Sequence, residues 1–292
     1  MQLWQAIVLG IVQGLTEFLP ISSTAHLRIT PDVLGFKDPG AGFTAIIQLG
    51  TLLSVLWYFR ADISRLLRAW VSGIVQGRPF AEHDSRLGWL IIAATIPIVV
   101  TGLVLKPWIK GDDAPLRTLT MVAIQLLAGS VLMLVAEVVA AWKTRGGKVG
   151  MALQQLGPLQ VLGTGLFQCL ALLPGMSRSG STISGGLLLG MTRETAARFS
   201  FLLSLPAISA AGVYALWDDA IKPWRAGELG LFSTQADVVN LVVSTLVSAI
   251  VGYVAIAFLM NYLRTRTMGI FIVYRVLLAI VLLWAIHAGK LI

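Results

Sequence analysis

A compact polar cluster lies between apolar flanks at residues 170–182, which read L-A-L-L-P-G-M-S-R-S-G-S-T. Pro174 ends any helix before it, and Gly175 and Gly180 let the backbone turn. A charge within a bilayer costs a few kcal/mol or more, and irregular backbone is tolerated there only against protein or a water-filled cavity. Arg178 therefore marks a predicted anion site, because it combines a fork of donors with nearby hydroxyls and a helix N-terminus. The alternative is a kinked helix whose arginine extends to the membrane surface.

A second cluster follows the first apolar segment of the chain. Residues 1–18, M-Q-L-W-Q-A-I-V-L-G-I-V-Q-G-L-T-E-F, have the pattern of a helix that carries Gln13 and Glu17 on one face, four positions apart. The helix should break at Pro20, after which residues 21–26 read I-S-S-T-A-H. Two polar groups of one helical face thus immediately precede a break that is rich in hydroxyls.

This first break holds residue types that could perform nucleophilic chemistry. Glu17, Ser23 and His26 provide an acid, a nucleophile and a base within ten residues, with Ser22 and Thr24 beside them. Simpler explanations exist for two of them, since a lone glutamate can lie at a helix surface and a lone histidine can serve only as a hydrogen bonder. The sequence favours a site in which the serine is activated.

The composition places both clusters in a membrane protein. The chain is 57% hydrophobic and 12% charged, with a mean hydropathy of +0.83, and several apolar runs reach the roughly 20 residues that span a bilayer. The sequence therefore predicts an all-α polytopic membrane protein. The net charge of +8 does not indicate nucleic acid, because the basic residues lie in short loops between apolar runs. The single Cys169 has no partner for an intramolecular disulfide or a zinc site.

The second half of the sequence repeats the first. Gly10-Ile-Val-Gln13 recurs as Gly165-Leu-Phe-Gln168, and each motif is followed by a proline break and a serine cluster. We predict two repeats, 1–148 and 149–292, each made of one re-entrant hairpin and three spans. The predicted elements are the hairpin 1–31 with spans 43–59, 88–105 and 118–142, and the hairpin 156–192 with spans 199–217, 238–260 and 269–288.

An odd number of spans in each half predicts an inverted topology. The two repeats then enter the membrane in opposite orientations, and their hairpins meet near the midplane. The loops after residues 59, 142 and 260 are the richer in arginine and lysine, which places them in the cytoplasm and both termini outside. Glu17, Ser23, His26 and Arg178 can then converge although they are far apart in sequence.

The combined residues suit phosphoryl transfer. Arg178 and the surrounding hydroxyls can hold phosphate oxygens and neutralise charge in the transition state. Glu17 and Gln13 offer oxygen ligands for a divalent cation, or Glu17 acts as a base. Ser23 is the best candidate nucleophile, and a water nucleophile is equally consistent. The hydroxyls predicted to bind phosphate are those of Ser22, Thr24, Ser177, Ser179 and Thr182.

The two motifs together resemble the bacitracin-resistance-type undecaprenyl-diphosphatases. E-F-L-P-I-S-S-T-A-H at 17–26 and F-Q-C-L-A-L-L-P-G-M-S-R-S-G-S-T-I-S-G-G at 167–186 carry the resemblance, which extends over the whole chain. It implies hydrolysis of undecaprenyl diphosphate to the monophosphate carrier of peptidoglycan synthesis, with bacitracin resistance as a consequence. It also implies Mg²⁺ or Ca²⁺ as cofactor and a site open to the periplasmic side of the bacterial inner membrane.

The resemblance also suggests roles for particular residues. The family's acidic pair falls on Gln13 and Glu17, its serine and histidine on Ser23 and His26, and its phosphate-binding arginine on Arg178. This sequence departs from the family where Gln13 replaces the more usual glutamate, which leaves Glu17 as the only acid of the first motif. Two further departures are Ala25, where glycine is usual, and Thr44, where glutamate is frequent.

A second class of function stays open at this point. Inverted repeats with broken helices are also the architecture of secondary transporters, so the same site could move a lipid phosphate across the membrane. A carrier needs charge compensation but no nucleophile, and the position of Ser23 between Glu17 and His26 favours the enzyme. The expected partners are undecaprenyl diphosphate and membrane lipids, with no nucleic acid, and a homodimer is a further option.

Overall fold

The computed structural model describes residues 1–109, 114–147, 149–227 and 234–290, and these residues are mostly helical. They contain no strand beyond an isolated bridge between Met151 and Met191, so the predicted all-α class is confirmed. A π-helical turn, Leu216–Ile221, joins the ninth and tenth helices. The helices are α1 Leu3–Phe18, α2 Ser23–Leu34, α3 Gly40–Tyr58, α4 Arg60–Val75, α5 His83–Ile109, α6 Leu119–Arg145, α7 Pro158–Gln168, α8 Arg178–Leu188, α9 Arg193–Ala215, α10 Lys222–Ala226, α11 Gln235–Thr265 and α12 Gly269–His287.

Five helical segments of the described chain are long and apolar enough to cross a membrane. They are α5, α6, α9 with its continuation to Ala226, α11 and α12, and each contains one of the predicted spans or, for α6 and α12, all but one residue of it. The bent pair α3 and α4 supplies a sixth if it is counted as one span. The protein is therefore a multi-pass membrane protein, as its composition predicts.

The segment after α3 differs from the sequence prediction. A loop is expected from residue 60 to residue 87, but helix α4 occupies its first part and meets α3 at a bend of 81°. Asp62 explains why this segment is ordered, because its buried carboxylate accepts hydrogen bonds from the Arg198 guanidinium at 2.8 and 2.5 Å. The arginine-rich segment is therefore tied to α9 by a buried ion pair.

Neither predicted hairpin has an arm that could cross a bilayer. Helix α1 has 16 residues and α2 has 12, which correspond to lengths of about 24 and 18 Å. Helices α7 and α8 have 11 residues each. A hydrocarbon core of about 30 Å exceeds all four lengths. Helix α2 does continue beyond the predicted end at Pro31, and stops where Gly35 adopts φ 73°.

The first helix of each predicted hairpin packs against a helix from the other half of the chain. Helix α1 lies mainly on α11 of the second half, and α7 lies on α5 of the first half. Gly10 and Gly165 stand at these two crossings, where an added Cβ of Gly10 would lie 2.6 Å from Ser244 O and one at Gly165 would collide with Ala94. Small residues permit such close helix contacts in membranes. Lys148, where the sequence predicts the boundary between repeats, lies outside the described residues.

Candidate functional site

The break between α1 and α2 is closed by a serine in an unusual backbone conformation. Ser22 precedes α2, has φ 75°, and accepts a hydrogen bond from Ala25 N at 3.4 Å. Such a capping hydroxyl satisfies one of the free N–H groups at a helix start. A non-glycine residue with positive φ is strained, and the surrounding structure must hold it in place.

The second break repeats this arrangement. Ser177 precedes α8, has φ 69°, and accepts from Gly180 N at 3.1 Å. Ser22 and Ser177 are the only non-glycine residues of the described chain with positive φ. They are separated by the same 155 positions (177 − 22) as Gln13 and Gln168 (168 − 13). The two breaks therefore carry equivalent serine caps, at the spacing of the repeat predicted from the sequence.

Glu17 is the centre of the hydrogen bonding between the breaks. Its Oε2 accepts from Ser23 Oγ at 2.7 Å, from Gln13 Nε2 at 2.9 Å and from Gln48 Nε2 at 3.5 Å. Its Oε1 accepts from Arg178 Nη2 at 2.8 Å, which forms an ion pair between the two hairpins. The carboxylate is 5% exposed, and a buried charge of this kind requires such partners.

Arg178 holds Glu17 with only one of its terminal nitrogens. The other, Nη1, is buried and has no hydrogen-bond partner within the described residues. A buried guanidinium nitrogen that lacks an acceptor is costly unless a ligand supplies one. The free edge of this arginine is therefore suited to an anion, and the charge-assisted bonds of arginine to phosphate are strong.

A half-open cavity of about 140 Å³ lies beside this ion pair. Glu17, Ser23 and Arg178 line it, together with further hydroxyls of both breaks. Helices α3, α5 and α9 and the 3₁₀ turn Cys169–Leu172 supply the remaining walls. The lining residues outside the ion pair and Ser23 are Ser22, Thr24, Gln48, Ile98, Ala171, Ser177, Ala207, Ile208 and Ala211.

Four of the predicted site residues, Gln13, His26, Ser179 and Thr182, do not line the cavity, although Gln13 is hydrogen-bonded to Glu17, which does. Ser179 Oγ donates to Leu19 O at 3.2 Å, and Thr182 Oγ1 is bonded to Ser200 Oγ at 2.5 Å, so both hydroxyls are used in packing. His26 Nδ1 contacts Ser22 O at 2.7 Å, and its Nε2 contacts Tyr274 Oη at 2.7 Å. The structure therefore does not bring His26 together with Ser23, because this ring is directed at α12.

Arg275 is a functional candidate that the sequence suggests only as a packing or surface-seeking arginine. It is completely buried, and Nη2 donates to Gly175 O at 2.8 Å while Nη1 donates to Pro20 O at 3.3 Å. These carbonyls lie two residues before Ser177 and Ser22, one in each break. No carboxylate of the described residues pairs with Arg275. One guanidinium thus fixes the backbone of both breaks.

Gln48 is a second site residue that the sequence pattern does not assign. It lines the cavity and donates to Glu17, although it comes from α3 rather than from either break. Its signal was a polar side chain inside the apolar run at 43–59, within the segment I-I-Q-L-G. A single amide in such a run has many structural explanations, so the pattern alone did not assign it.

A family model described as bacitracin resistance protein BacA matches residues 6–281 of the chain. The chain belongs to this family. The undecaprenyl-diphosphatase of Chloroherpeton thalassium is 51% identical over 291 residues, covering 100% of this chain and 99% of that protein. Proteins of the same name from Chlorobium limicola and Chlorobium phaeovibrioides are 48% and 49% identical with equal coverage.

The divalent cation implied by resemblance to the BacA family can be tested against the donor atoms present. Gln13 Oε1 is buried beside Glu17 and has no hydrogen-bond partner among the residues that the structure describes, so an unpaired amide oxygen adjoins the carboxylate. Mg²⁺ is commonly held by one or two carboxylates together with substrate phosphates. The described residues contain no group of three His, Cys, Asp or Glu that could hold an ion. The residues fit a cation that the substrate helps to coordinate, and do not form a site made of protein ligands alone.

Proposed function

We propose that this protein is an undecaprenyl-diphosphatase, which hydrolyses undecaprenyl diphosphate to undecaprenyl phosphate and inorganic phosphate. Family membership and relatives of that name, about half identical over the whole chain, support the activity. The observation that carries the proposal is the Glu17 carboxylate, which accepts from both Ser23 and Arg178 at the wall of one cavity. The monophosphate product is the carrier of peptidoglycan synthesis, and its recycling gives bacitracin resistance.

The terminal phosphate binds between the two breaks. Arg178 Nη1, which has no partner among the described atoms, donates to a phosphate oxygen while Nη2 keeps its bond to Glu17. The hydroxyls of Ser22, Thr24 and Ser177 lie on the same cavity and supply further donors. Fixed donors of this kind stabilise the charge that develops on the phosphoryl oxygens during transfer.

Ser23 is the nucleophile in this proposal. Its Oγ donates to Glu17, so the carboxylate takes the proton as Oγ forms a bond to the terminal phosphorus. The bond from phosphorus to the bridging oxygen breaks, and undecaprenyl phosphate leaves with that electron pair. Water then attacks the phosphoserine and releases inorganic phosphate and the serine. Direct attack by a water molecule held by Glu17 is the alternative, and acid quenching distinguishes the two because only the first yields phosphoserine.

Glu17 and Gln13 would hold the divalent cation, Mg²⁺ or Ca²⁺. When bound, the cation neutralises phosphate charge. Arg178 performs part of the same task from the opposite hairpin, and its position does not depend on the cation because Glu17 already fixes it. His26, which is bonded to Tyr274, is assigned no proton transfer in this proposal.

The site is proposed to open to the periplasmic side of the bacterial inner membrane. The distribution of arginine and lysine in the loops supports an orientation with the first hairpin entering from outside. Hydrolysis on that side returns the carrier where it is released by cell-wall synthesis. All of the residues invoked come from one chain, so the reaction does not depend on the homodimer considered above.

The test is phosphate release from undecaprenyl diphosphate by purified protein in detergent, with and without Mg²⁺ or Ca²⁺. We expect Glu17→Gln, Ser23→Ala and Arg178→Lys each to lower kcat by about a hundredfold or more. Two substitutions of the same types away from the cavity, Ser204→Ala and Arg264→Lys, serve as controls and should leave kcat within about threefold of wild type. No release by the wild type with any cation would overturn the proposal, and lipid movement without release would support the carrier.

A further inference from the structure

The catalytic cavity has an apolar wall that the phosphoryl chemistry does not use. This wall, here called the prenyl wall, comes from α5, α9 and the 3₁₀ turn after α7, whereas the ionic and hydroxyl groups come from α1, α2 and α8. Three of its five side chains are alanines, which occupy less of the cavity than larger apolar residues would. The residues of the prenyl wall are Ile98, Ala171, Ala207, Ile208 and Ala211.

The α9 part of the prenyl wall leads from the buried interior to the surface of a membrane-spanning helix. Ala207 and Ala211 are four residues apart and share one face. Ile208 beside them is 4% exposed, Ala207 is half-buried, and Ala211 is exposed. Helix α9 is a candidate membrane span, and Ala211 is exposed on it while lining the cavity. The apolar wall therefore extends along α9 from the buried Ile208 to the surface of the protein.

A proline stands immediately before a residue of the prenyl wall in both α5 and α9. Pro97 immediately precedes Ile98 in α5, and Pro206 immediately precedes Ala207 in α9, and the two helices pack together. Each proline lacks an N–H and removes one hydrogen bond of its helix. The backbone hydrogen bonding of α5 and of α9 is thus interrupted next to the cavity. These interruptions permit the two helices to bend there.

We propose that the prenyl wall binds the first isoprene units of the lipid diphosphate, and that the chain leaves into the bilayer past Ala211. This inference rests on the proposed function and adds the subsite that selects a prenyl group. In a prenyl diphosphate the apolar chain begins at the carbon that carries the first phosphate. Donors for the phosphates must therefore adjoin an apolar surface, and small side chains leave room for a methyl-branched chain.

The test substitutes the exposed alanine at the outer end of the wall. Ala211→Phe places a ring in front of the cavity, and its matched control is Ala210→Phe, which adds the same ring to the neighbouring exposed position that does not line the cavity. Two quantities are measured for each protein. One is KM for undecaprenyl diphosphate, and the other is the inhibition constant of inorganic pyrophosphate, which competes for the phosphate groups but carries no chain.

We expect Ala211→Phe to raise KM about tenfold or more while the pyrophosphate inhibition constant stays within about twofold, and Ala210→Phe to change neither. If Ala211→Phe behaves like Ala210→Phe, or if both quantities rise together, the prenyl wall is not the chain-binding surface. The unchanged pyrophosphate constant also shows that the variant is folded. Absence of phosphate release by the wild type would instead remove the proposed function, so the two failures are distinguishable.

Discussion

Four donors from three regions of the chain converge on the Glu17 carboxylate within the described structure. Gln13 and Ser23 approach from its own hairpin, Gln48 from α3 and Arg178 from the other half. A carboxylate buried to this extent is stable only while its donors remain. The same donors set its direction toward Ser23, so the residues around Glu17 control both its stability and its use as a base.

Gln13→Glu tests the cation ligands at the scale of one residue. The substitution restores the glutamate that is more usual in the family and places a second carboxylate beside Glu17. Without a cation the two negative charges repel each other, so we expect kcat in a chelator to fall about tenfold below that of wild type. With a cation the added charge should lower the Mg²⁺ concentration needed for half-maximal activity about tenfold. Phosphate release across a Mg²⁺ titration measures both effects.

An unchanged Mg²⁺ requirement in Gln13→Glu would show that position 13 does not bind the cation. Glu82→Gln provides a charge control, because it alters one carboxylate on the exposed segment before α5. That change should leave the titration where it is in wild type.

Arg275→Lys tests whether one guanidinium organises both breaks. A lysine keeps the charge but presents a single ammonium, which cannot reach the carbonyls of Pro20 and Gly175 together with Ser130 and Leu126 O. Buried carbonyls that lose their donor cost about 1–3 kcal/mol each. We expect a lower unfolding midpoint in detergent and kcat reduced at least about tenfold, because Ser22 and Ser177 lose their supports.

The control for this substitution is Arg264→Lys, whose side chain is largely exposed and pairs with Glu194. Its unfolding midpoint and kcat should stay close to wild type. Full activity in Arg275→Lys would mean that the breaks hold their conformation without this contact.

The two breaks show why the helical elements, rather than single residues, create the site. In each break a helix arm ends, a leucine with extended backbone and a turn follow, and a serine with positive φ caps the next helix. Helices α2 and α8 therefore begin at the cavity, and Ser22 and Ser177, which cap their N-termini, line it. Helix N-termini carry a partial positive charge, so both elements favour an anion there.

Substitutions at Ser177 separate the strain of this cap from its hydrogen bond. Ser177→Gly loses the capping hydroxyl but accepts φ 69° without strain, whereas Ser177→Ala loses the hydroxyl and keeps the strain. We expect Ser177→Ala to be less stable than Ser177→Gly by about 1 kcal/mol, measured as the unfolding midpoint in detergent. Both variants should lose phosphatase activity to a similar degree because both lose the hydroxyl.

The same pair of substitutions at Thr192, which caps α9 with φ −67°, provides the control. Here glycine is also the better N-cap residue but relieves no strain at a negative φ, so we expect a smaller difference between the alanine and glycine variants than at Ser177. A Ser177→Ala protein as stable as Ser177→Gly would contradict the strained-cap interpretation.

At the scale of the whole molecule, the two halves share some residues at equivalent positions but contribute different functional groups to the site. Positions 155 residues apart hold Gln13 and Gln168, and Ser22 and Ser177, which are the same residue types. The same offset pairs Glu17 with Leu172 (17 + 155) and Ser23 with Arg178 (23 + 155). The first half therefore provides the Glu17 carboxylate and the Ser23 hydroxyl, and the second half provides the Arg178 guanidinium. A single asymmetric site forms between two similar hairpins.

The inverted topology predicts which side of the membrane each loop faces. In a Cys169→Ser background, cysteines replace Lys37 after the first hairpin, Gln76 after α4, and Val149 between the halves, all of them exposed. A membrane-impermeant maleimide added to intact cells or spheroplasts should label position 37 and spare positions 76 and 149, which should react only after lysis. Labelling of position 37 only from the side opposite Met1 would exclude a re-entrant first hairpin.

The sequence alone determined the fold class and the two breaks, and it selected Glu17 and Arg178 as site residues, whereas the ion pair between them is a finding of the structure. Apolar runs of bilayer length, and prolines and glycines between them, are local features that a pattern records directly. Glu17, Ser23 and Arg178 could be selected because polar residues are conspicuous in an otherwise apolar chain. The cation and the predicted roles of these residues stay predictions until activity is measured.

The tertiary structure decided which neighbours these residues have. In the structure Gln48 donates a hydrogen bond to Glu17, and the His26 ring is hydrogen-bonded to Tyr274. Arg275 donates to two backbone carbonyls that lie 255 and 100 positions before it in the chain. A pattern gives the face on which a side chain lies, but contact partners depend on how separate helices cross. Helix crossings are set by close packing between distant residues, such as Gly10 against Ser244, and this information is absent from any single stretch of sequence.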